Sequence, residues 1–205
     1  MRAVSRVHGT IVVPRRAAVL ARLIAPLLPP HASVLDLGAG DGFLASLVHD
    51  HRPDVQITGA DVVRREKTFG PVLHYDGIRT PFADNAFDAV VLVDVLHHAD
   101  DPKALFAEAV RLARNRIVVK DHICENRFDR LLLQFMDRVS NARFGVPLPY
   151  NYLARREWRE LFSSAGTTAA WSESLGLYPR PAALLFERSL HLLAAIDVTS
   201  EGKSR

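Results

Sequence analysis

One junction constrains this chain more than any other: Val34-Leu35-Asp36-Leu37-Gly38-Ala39-Gly40-Asp41-Gly42-Phe43. A short apolar run carrying one acid leads into three glycines at alternate positions, then into a helical pattern. Glycine reaches backbone conformations closed to other residues and lets a ligand lie against main-chain atoms. The helix that follows presents free N–H groups to an anionic or polar partner. Such a segment folds as strand, tight turn and helix, with the turn facing a ligand. The Gly38-x-Gly40-x-Gly42 spacing is not the G-x-G-x-x-G of dinucleotide folds, because the third glycine comes one residue early.

The rest of the chain extends the same rhythm. Short β-branched runs at Ser33–Leu37, 55–60, 71–75, Phe87–Val93 and 116–120 read as strands, several of them too apolar to be half-exposed. Helical patterns at 43–49 and 102–113 lie between them. Buried strands joined by crossover helices predict an α/β fold: a doubly wound, mostly parallel, Rossmann-like sheet with helices on both faces. An amphipathic helix over 15–28, closed by Pro29 and Pro30, is expected ahead of the first strand. After the fifth strand, 126–141 sets Phe128, Leu131, Leu132, Phe135 and Val139 on one helical face. Core is the expected role of that stripe, with a binding surface as the alternative. A loop rich in Gly, Pro and Tyr (144–152) and a helix at 155–164 follow. Segments 167–174 and 183–196 would bring the sheet to seven strands. The chain is therefore expected to be one domain, 1–205. Within it, 1–31 forms a cap helix, 32–121 the cofactor-binding core, 122–152 a helical substrate lid and 153–198 the end of the sheet. Residues 199–205 read as a frayed tail.

Composition narrows the classes. With 205 residues, 48% hydrophobic and 24% charged, the chain reads as a globular protein with a full core. The single cysteine, Cys124, excludes an internal disulfide and any zinc site built on several thiolates. No apolar stretch approaches the ~18–20 residues of a membrane span, and no signal-peptide core is visible. A cytoplasmic location is expected. The net charge of +3 divides into −2 up to Pro102 and +5 beyond it. The arginines of the basic half are spread along helical patterns, which favours solvated faces over a nucleic-acid surface.

Acids follow the glycines in a set order. Asp61 lies 19 residues past Gly42, at the end of the second strand, where a carboxylate can accept both hydroxyls of a ribose. Asp76-Gly77 ends the third strand, and Pro81-Phe82-x-Asp84-x-x-Phe87-Asp88 leads into the fourth. Taken together, the series resembles class I S-adenosylmethionine-dependent methyltransferases. The junction resembles their glycine-rich first motif, and the stretch FDAVVLVDVLHH from Phe87 to His98 is similar to their fourth-strand motif. The nearest likeness is to the small-molecule, type-11 branch that includes quinone-biosynthesis and sterol enzymes, and it covers 15–120. The resemblance implies S-adenosyl-L-methionine as cofactor and S-adenosyl-L-homocysteine as product. It assigns cofactor contacts to Asp36, Gly38, Ala39, Gly40, Gly42, Phe43, Asp61, Val62, Asp76, Gly77 and Asp94. Asp36 would orient the loop and reach the methionine end; the alternative is a capping acid without ligand contact. The implied reaction is attack of an acceptor O, N or C on the sulfonium methyl, in which the enzyme aligns, excludes water and removes a proton. That chemistry requires no metal.

The acceptor side is less defined. His97 and His98 end the fourth strand, where an open α/β sheet presents its ligand crevice. Histidine titrates near neutrality, so His98 is a candidate base, with His97 the weaker one; packing or capping is the alternative. Lys120-Asp121-His122 occupies the equivalent exit of strand five, where an acid beside a histidine offers Asp121 and His122 as further catalytic candidates, against a merely polar loop. Tyr150 and Tyr152 either line a substrate slot or anchor their loop. His8, Arg15 and Arg16 could meet the cofactor carboxylate, although a surface role is expected. Asp94-Val95-Leu96-His97 replaces the Asn/Asp-Pro-Pro-aromatic motif of base and amide methylation, so the expected acceptor is a small, partly apolar molecule: a lipid, quinone precursor or secondary metabolite. Nucleic acid is not expected. Two rivals are a non-catalytic cofactor-binding scaffold and, less favoured on glycine spacing, an NAD-dependent oxidoreductase.

Overall fold

The computed structural model describes residues 12–141, 148–178, 183–187 and 189–199. Seven strands form one sheet in the order β3-β2-β1-β4-β5-β7-β6. They are β1 (Ser33–Leu37), β2 (Gln56–Asp61), β3 (Val72–His74), β4 (Phe87–Val93), β5 (Ala113–His122), β6 (Gly166–Ser172) and β7 (His191–Val198). β1 to β5 pair in parallel, while β7 runs against both β5 and β6. This is the mostly parallel, Rossmann-like α/β sheet expected from the alternation of apolar runs and helical patterns.

Successive residues of each strand feed opposite cores, as a two-residue period demands. On one face Leu35, Leu37, Val90, Leu92, Ile117, Val119, Leu192 and Ala194 pack with Phe106, Trp158 and Phe162. On the other, Val34, Ala89, Val91, Val118, Leu193 and Ala195 pack with Leu20, Ile24, Val48, Leu133 and Met136. The first face is covered by α3 (Pro102–Leu112) and α5 (Arg155–Ser163), the second by α1 (Val13–Ile24), α2 (Phe43–His51) and α4 (Arg127–Asn141). Burial of both sheet faces explains the near-continuous apolar character of the central strands.

The helix ends are closed by specific partners. The carboxylate of Asp101 accepts N–H bonds from Lys103 and Ala104 at 2.9 and 3.1 Å, with Pro102 supplying the first helical φ of α3. Arg52, just past α2, donates to the carbonyls of Ala25, Leu28 and Pro29 at 2.7–2.9 Å. It thereby satisfies the carbonyls that the end of α1 and its following 3-10 turn leave open.

Three segments depart from the sequence expectation. β5 starts at Ala113, where the helical pattern was expected to end, and runs on through Asp121 and His122, so these two residues are strand and not loop. Residues 183–186 form a short helix, α6 (Ala183–Phe186), and the final strand begins only at His191. In α4, Phe128, Leu131 and Phe135 of the expected stripe are exposed at 52%, 66% and 55%, Leu132 and Val139 are half-buried, and Leu133, Met136, Asp129 and Asp137 are buried. The buried face of α4 carries two acids because each finds partners. Asp129 accepts from Glu125 N and Asn126 Nδ2, and Asp137 accepts from Tyr152. Those contacts turn the buried face away from Phe128, Leu131 and Phe135, while Leu132 still packs against the core. The loop expected at 144–152 lies partly outside the described residues, as do His8 and 200–205. Among the described residues, no helix is long and apolar enough to cross a membrane.

Candidate active site

Strand order reverses between β1 and β4, which run in parallel side by side with their connections leaving in opposite directions. Such a switch point opens a crevice at the carboxyl ends of the strands. The glycine loop stands there. Gly38, Gly40 and Gly42 have φ of +89°, +61° and +78°, the left-handed region that side chains with a Cβ rarely enter. Gly38 N and Ala39 N both donate to Ala60 O, at 2.7 and 3.1 Å, which ties the loop to the end of β2. A Cβ on Gly38 would lie 2.3 Å from Val95 Cγ2, so the loop also seats against the exit of β4. A Cβ on Gly40 would meet nothing within 4 Å. The loop is thus packed at its base and open at its tip, the arrangement that lets a ligand approach main-chain atoms.

Three acids stand around this loop. Asp61 is buried at the end of β2; its Oδ2 accepts the Gly40 N–H and its Oδ1 the Val63 N–H, both at 2.7 Å. Each carboxylate oxygen keeps one lone pair for a further donor, such as a ribose hydroxyl. Asp36 is buried in β1 among Val34, Leu44, Ile57 and Val91. Burial, with Asp61 adding repulsion, pushes its pKa up to about 7. Asp76 is exposed past β3 and accepts from Ile78 N and Arg79 N, which hold its carboxyl below the usual range. The exposed Val62 and Gly77 (φ +84°) adjoin, a Gly77 Cβ falling 3.1 Å from Val62 Cγ1. Phe43 opens α2 and packs its ring 5.0 Å from Phe69. The open tip of the loop and the free lone pairs of Asp61 fit an adenosyl group bound through its ribose.

Asp94 is placed differently from the other acids. It lies just past β4 at φ +55° and pairs with Lys120 and, at 3.1 Å, with Arg16 Nη2. Burial raises its pKa, but Lys120 and Arg16 outweigh burial and hold the carboxyl well below its usual range. Lys120 has no exposed surface. Arg16 is mostly buried, reaches from α1 and lies over the Tyr178 ring at 5.5 Å, so it is not the surface residue expected; Arg15 is exposed.

The histidines form a second cluster at the same edge. The short turn Leu96–His98 follows β4, and the β4–β5 register sets Val93 opposite Lys120, so residues 94–98 stand beside 120–122. His97, 1% exposed, donates from Nδ1 to Asp121 Oδ1 at 2.5 Å, and Asp121 Oδ2 accepts the Leu96 N–H at 3.0 Å. Asp121 therefore pairs with His97 and not with the ring of His122. His97 Nε2 faces Asp137 Oδ2 at 3.5 Å, and Tyr152 donates its hydroxyl to that same carboxylate. Burial lowers the His97 pKa, but Asp121 and Asp137 outweigh it and raise it to about 10. His122 is held neutral by burial and by Lys120, well below the ordinary histidine value. Its Nδ1 donates to Leu190 O at 3.3 Å, which leaves Nε2 as the proton-accepting atom. Burial and the charge of His97 also lower His98. His191 from β7 packs 5.0 Å from the His122 ring. Tyr152 is buried against this cluster, while Tyr150 is half-buried at φ +60° with its carbonyl accepting from Arg130 at 3.3 Å. Asn151 N donates to His97 O at 3.2 Å and its side chain to Ala99 O at 2.8 Å, fastening the tyrosine loop over the turn.

Asp137 was missed in the sequence; Lys120 and Arg16 were noticed without the ion pairs they make with Asp94, and His97 was ranked below His98. The signal for Lys120 was a charge at the end of a run otherwise too apolar to be exposed. For Asp137 it was an acid opposite the apolar stripe of a helix near the crevice.

Residues 35–116 match the model of a methyltransferase-domain family. The ubiquinone/menaquinone biosynthesis C-methyltransferase UbiE of Desulfotalea psychrophila is 34% identical over 150 residues, which cover 68% of this chain and 59% of that protein. The chain thus spans 59% of that relative's length. The demethylmenaquinone methyltransferase of Renibacterium salmoninarum is 28% identical over 161 residues, 70% of this chain and 68% of that one. Among solved structures, the geranyl diphosphate C-methyltransferase of Streptomyces coelicolor A3(2) is similar in fold. It has a TM-score of 0.64 at 17% identity, covering 88% of this chain and 78% of that chain. Residues 35–116 are thus a methyltransferase domain, carried on a sheet with the fold of class I methyltransferases.

Proposed function

We propose that the protein transfers a methyl group from S-adenosyl-L-methionine to a small, partly apolar acceptor of the quinone-precursor class. One observation carries the cofactor assignment: the glycine loop, open at Gly40, stands at the switch point with the Asp61 carboxylate directly beneath it. Asp61 would hold the ribose, the loop backbone the methionine part, and Asp76 with Val62 and Gly77 the side toward the adenine. When bound, the cofactor supplies a methyl carbon attached to positively charged sulfur.

The chain's own residues then position and deprotonate. An acceptor carbon or oxygen in line with the S–CH3 bond forms the new bond as that bond breaks, and the acceptor proton must leave. His122 and His98, both held neutral, are the groups able to receive it, and His122 offers Nε2. His97, held charged between two carboxylates, is suited to donating a hydrogen bond and not to removing a proton. The names of the two curated relatives support the quinone-precursor class. The segment 122–152 would act as the lid, with Tyr150 and Tyr152 on the acceptor side and the exposed α4 stripe beside them. A cytoplasmic setting goes with this reading, in keeping with a single cysteine.

The test is transfer of labelled methyl from S-adenosyl-L-methionine to demethylated quinols and phenols, alongside calorimetry with S-adenosyl-L-homocysteine. Cofactor-product binding with turnover on a quinol supports the reading. Binding without turnover on any acceptor would leave only the scaffold function, and no binding would overturn the cofactor assignment.

A further inference from the structure

We propose that His97, His98 and Asp137 form a site for a divalent transition-metal ion at the histidine edge of the crevice. Each offers one ligand atom, and the three atoms lie within 4.8 Å of one another. The strongest sign is His97. Its ring is 1% exposed, and its buried Nε2 makes no good hydrogen bond and has only the Asp137 carboxylate before it, so a bound ion would take the place of the proton that nitrogen carries. That nitrogen faces Asp137 Oδ2 across 3.5 Å, too far for a good hydrogen bond between a buried ring and a buried acid. It is close to the separation that a shared ion imposes. Metal–ligand bonds of about 2.0–2.1 Å at tetrahedral angles set two ligand atoms about 3.3–3.4 Å apart.

The surroundings have the form that metal ligands need. His97 gives its other nitrogen, Nδ1, to Asp121 at 2.5 Å, which fixes the ring and makes Nε2 a better donor to a cation. Asp121 is itself fixed by the N–H groups of Leu96 and His122. The Tyr152 hydroxyl orients the Asp137 carboxylate. His98 is the third member. It sits next to His97 on a short exit turn, with the two ring centroids 4.0 Å apart. Two imidazoles and one carboxylate suit Zn2+, Fe2+ or Co2+, and three protein ligands leave a coordination position open.

That open position gives the site a use. An acceptor hydroxyl on the ion would be polarised and lose its proton more readily, to His122 rather than to the ligating His98, which raises the electron density of the ring or oxygen that takes the methyl group. This role rests on the methyl-transfer reading above; the site itself does not.

The experiment uses the full chain without a histidine tag, dialysed against a chelator. Zn2+ is titrated by calorimetry, and Co2+ is followed by its visible absorption, which reports tetrahedral nitrogen and oxygen ligation. One Zn2+ per chain is expected in the wild type. His97→Ala and Asp137→Asn should each weaken binding at least ~100-fold, and Asp121→Asn by ~10–100-fold as the loss of a ligand's orienting partner. His49→Ala, on α2, should bind as the wild type does. Circular dichroism identifies folded variants, and the near-isosteric Asp137→Asn and His98→Gln serve if His97→Ala does not fold. Failure of the wild type to bind Zn2+ stoichiometrically, or undiminished binding by folded Asp137→Asn and His98→Gln, overturns the site. A parallel titration with S-adenosyl-L-homocysteine separates the two ideas. Cofactor-product binding without metal binding removes this inference alone; metal binding without it keeps the site and removes the methyl-transfer reading.

Discussion

The carboxylate of Asp61 holds the backbone N–H of Gly40 at 2.7 Å, so the acid at the end of β2 fastens the tip of the loop that ends β1. One side chain therefore shapes the loop and, on the proposed reading, would also hold the ribose. Asp61→Ala should remove two charge-assisted bonds to a ribose, each worth roughly 1.5–3 kcal/mol. Affinity for S-adenosyl-L-homocysteine should fall by about 100-fold or more in calorimetry. The fold should persist, since the residue ends its strand. Unchanged affinity would remove Asp61 from the binding site.

Two glycines of the same loop should respond differently to substitution. Gly38→Ala drives a Cβ into Val95 at a φ of +89°, so the cost falls on the protein itself and thermal stability should drop before any ligand is added. Gly40→Val meets open space, and its strain at φ +61° is local. That variant should stay folded by circular dichroism and lose cofactor binding, because the added branch occupies the ligand's approach. Normal binding by a folded Gly40→Val protein would show that the ligand lies elsewhere.

Asp36 predicts a pH dependence of stability. Its folded pKa of about 7 lies above the ordinary value of 3.8, so the native state holds a proton that the unfolded chain has released. Stability from this group is fully present below about pH 4 and is lost as pH rises through about 7. Asp36→Asn, which stays neutral, should therefore gain on the wild type between pH 4.5 and pH 8, by no more than about 4 kcal/mol. Melting temperatures of the two proteins across that range give the measurement, and parallel curves would refute the burial argument.

The two tyrosines should separate anchoring from acceptor contact. Tyr152→Phe removes a donor from the buried Asp137 carboxylate and should lower stability by roughly 1–3 kcal/mol. Tyr150→Ala should leave stability near the wild type and reduce turnover more than cofactor-product affinity. Hydrogen exchange over 122–152 then tests closure, because a lid gains protection when cofactor and acceptor bind. Equal protection with and without ligands would make the segment fixed structure.

What the sequence disclosed depended on how far apart the cooperating residues lie. The β1–loop–α2 unit is written within ten residues, and the strand, the left-handed glycines and the helix start each have a local cause. Asp61 is distant from the loop but stands at a strand end, a place the alternation of runs already located. The pairing of His97 with Asp121 spans 24 positions and exists only because the β4–β5 register sets their exits side by side. No periodicity announces it. The α4 face was misjudged in part for a related reason: Asp137 is buried against Tyr152 from the following loop, whereas Asp129 is held by Glu125 and Asn126 at the start of its own helix. His191 was equally hidden, since only a reversed strand brings its first residue to the edge where the parallel strands end.

The seating of Gly38 against Val95 has a consequence for motion. The valine methyl groups fill the volume a glycine side chain would need, so neither segment can shift outward while the other keeps its packing. The loop after β1 and the turn after β4 are distant in sequence yet form one cooperative unit of local opening. Their amides should therefore exchange with solvent at a common rate, and a ligand that protects one segment should protect the other.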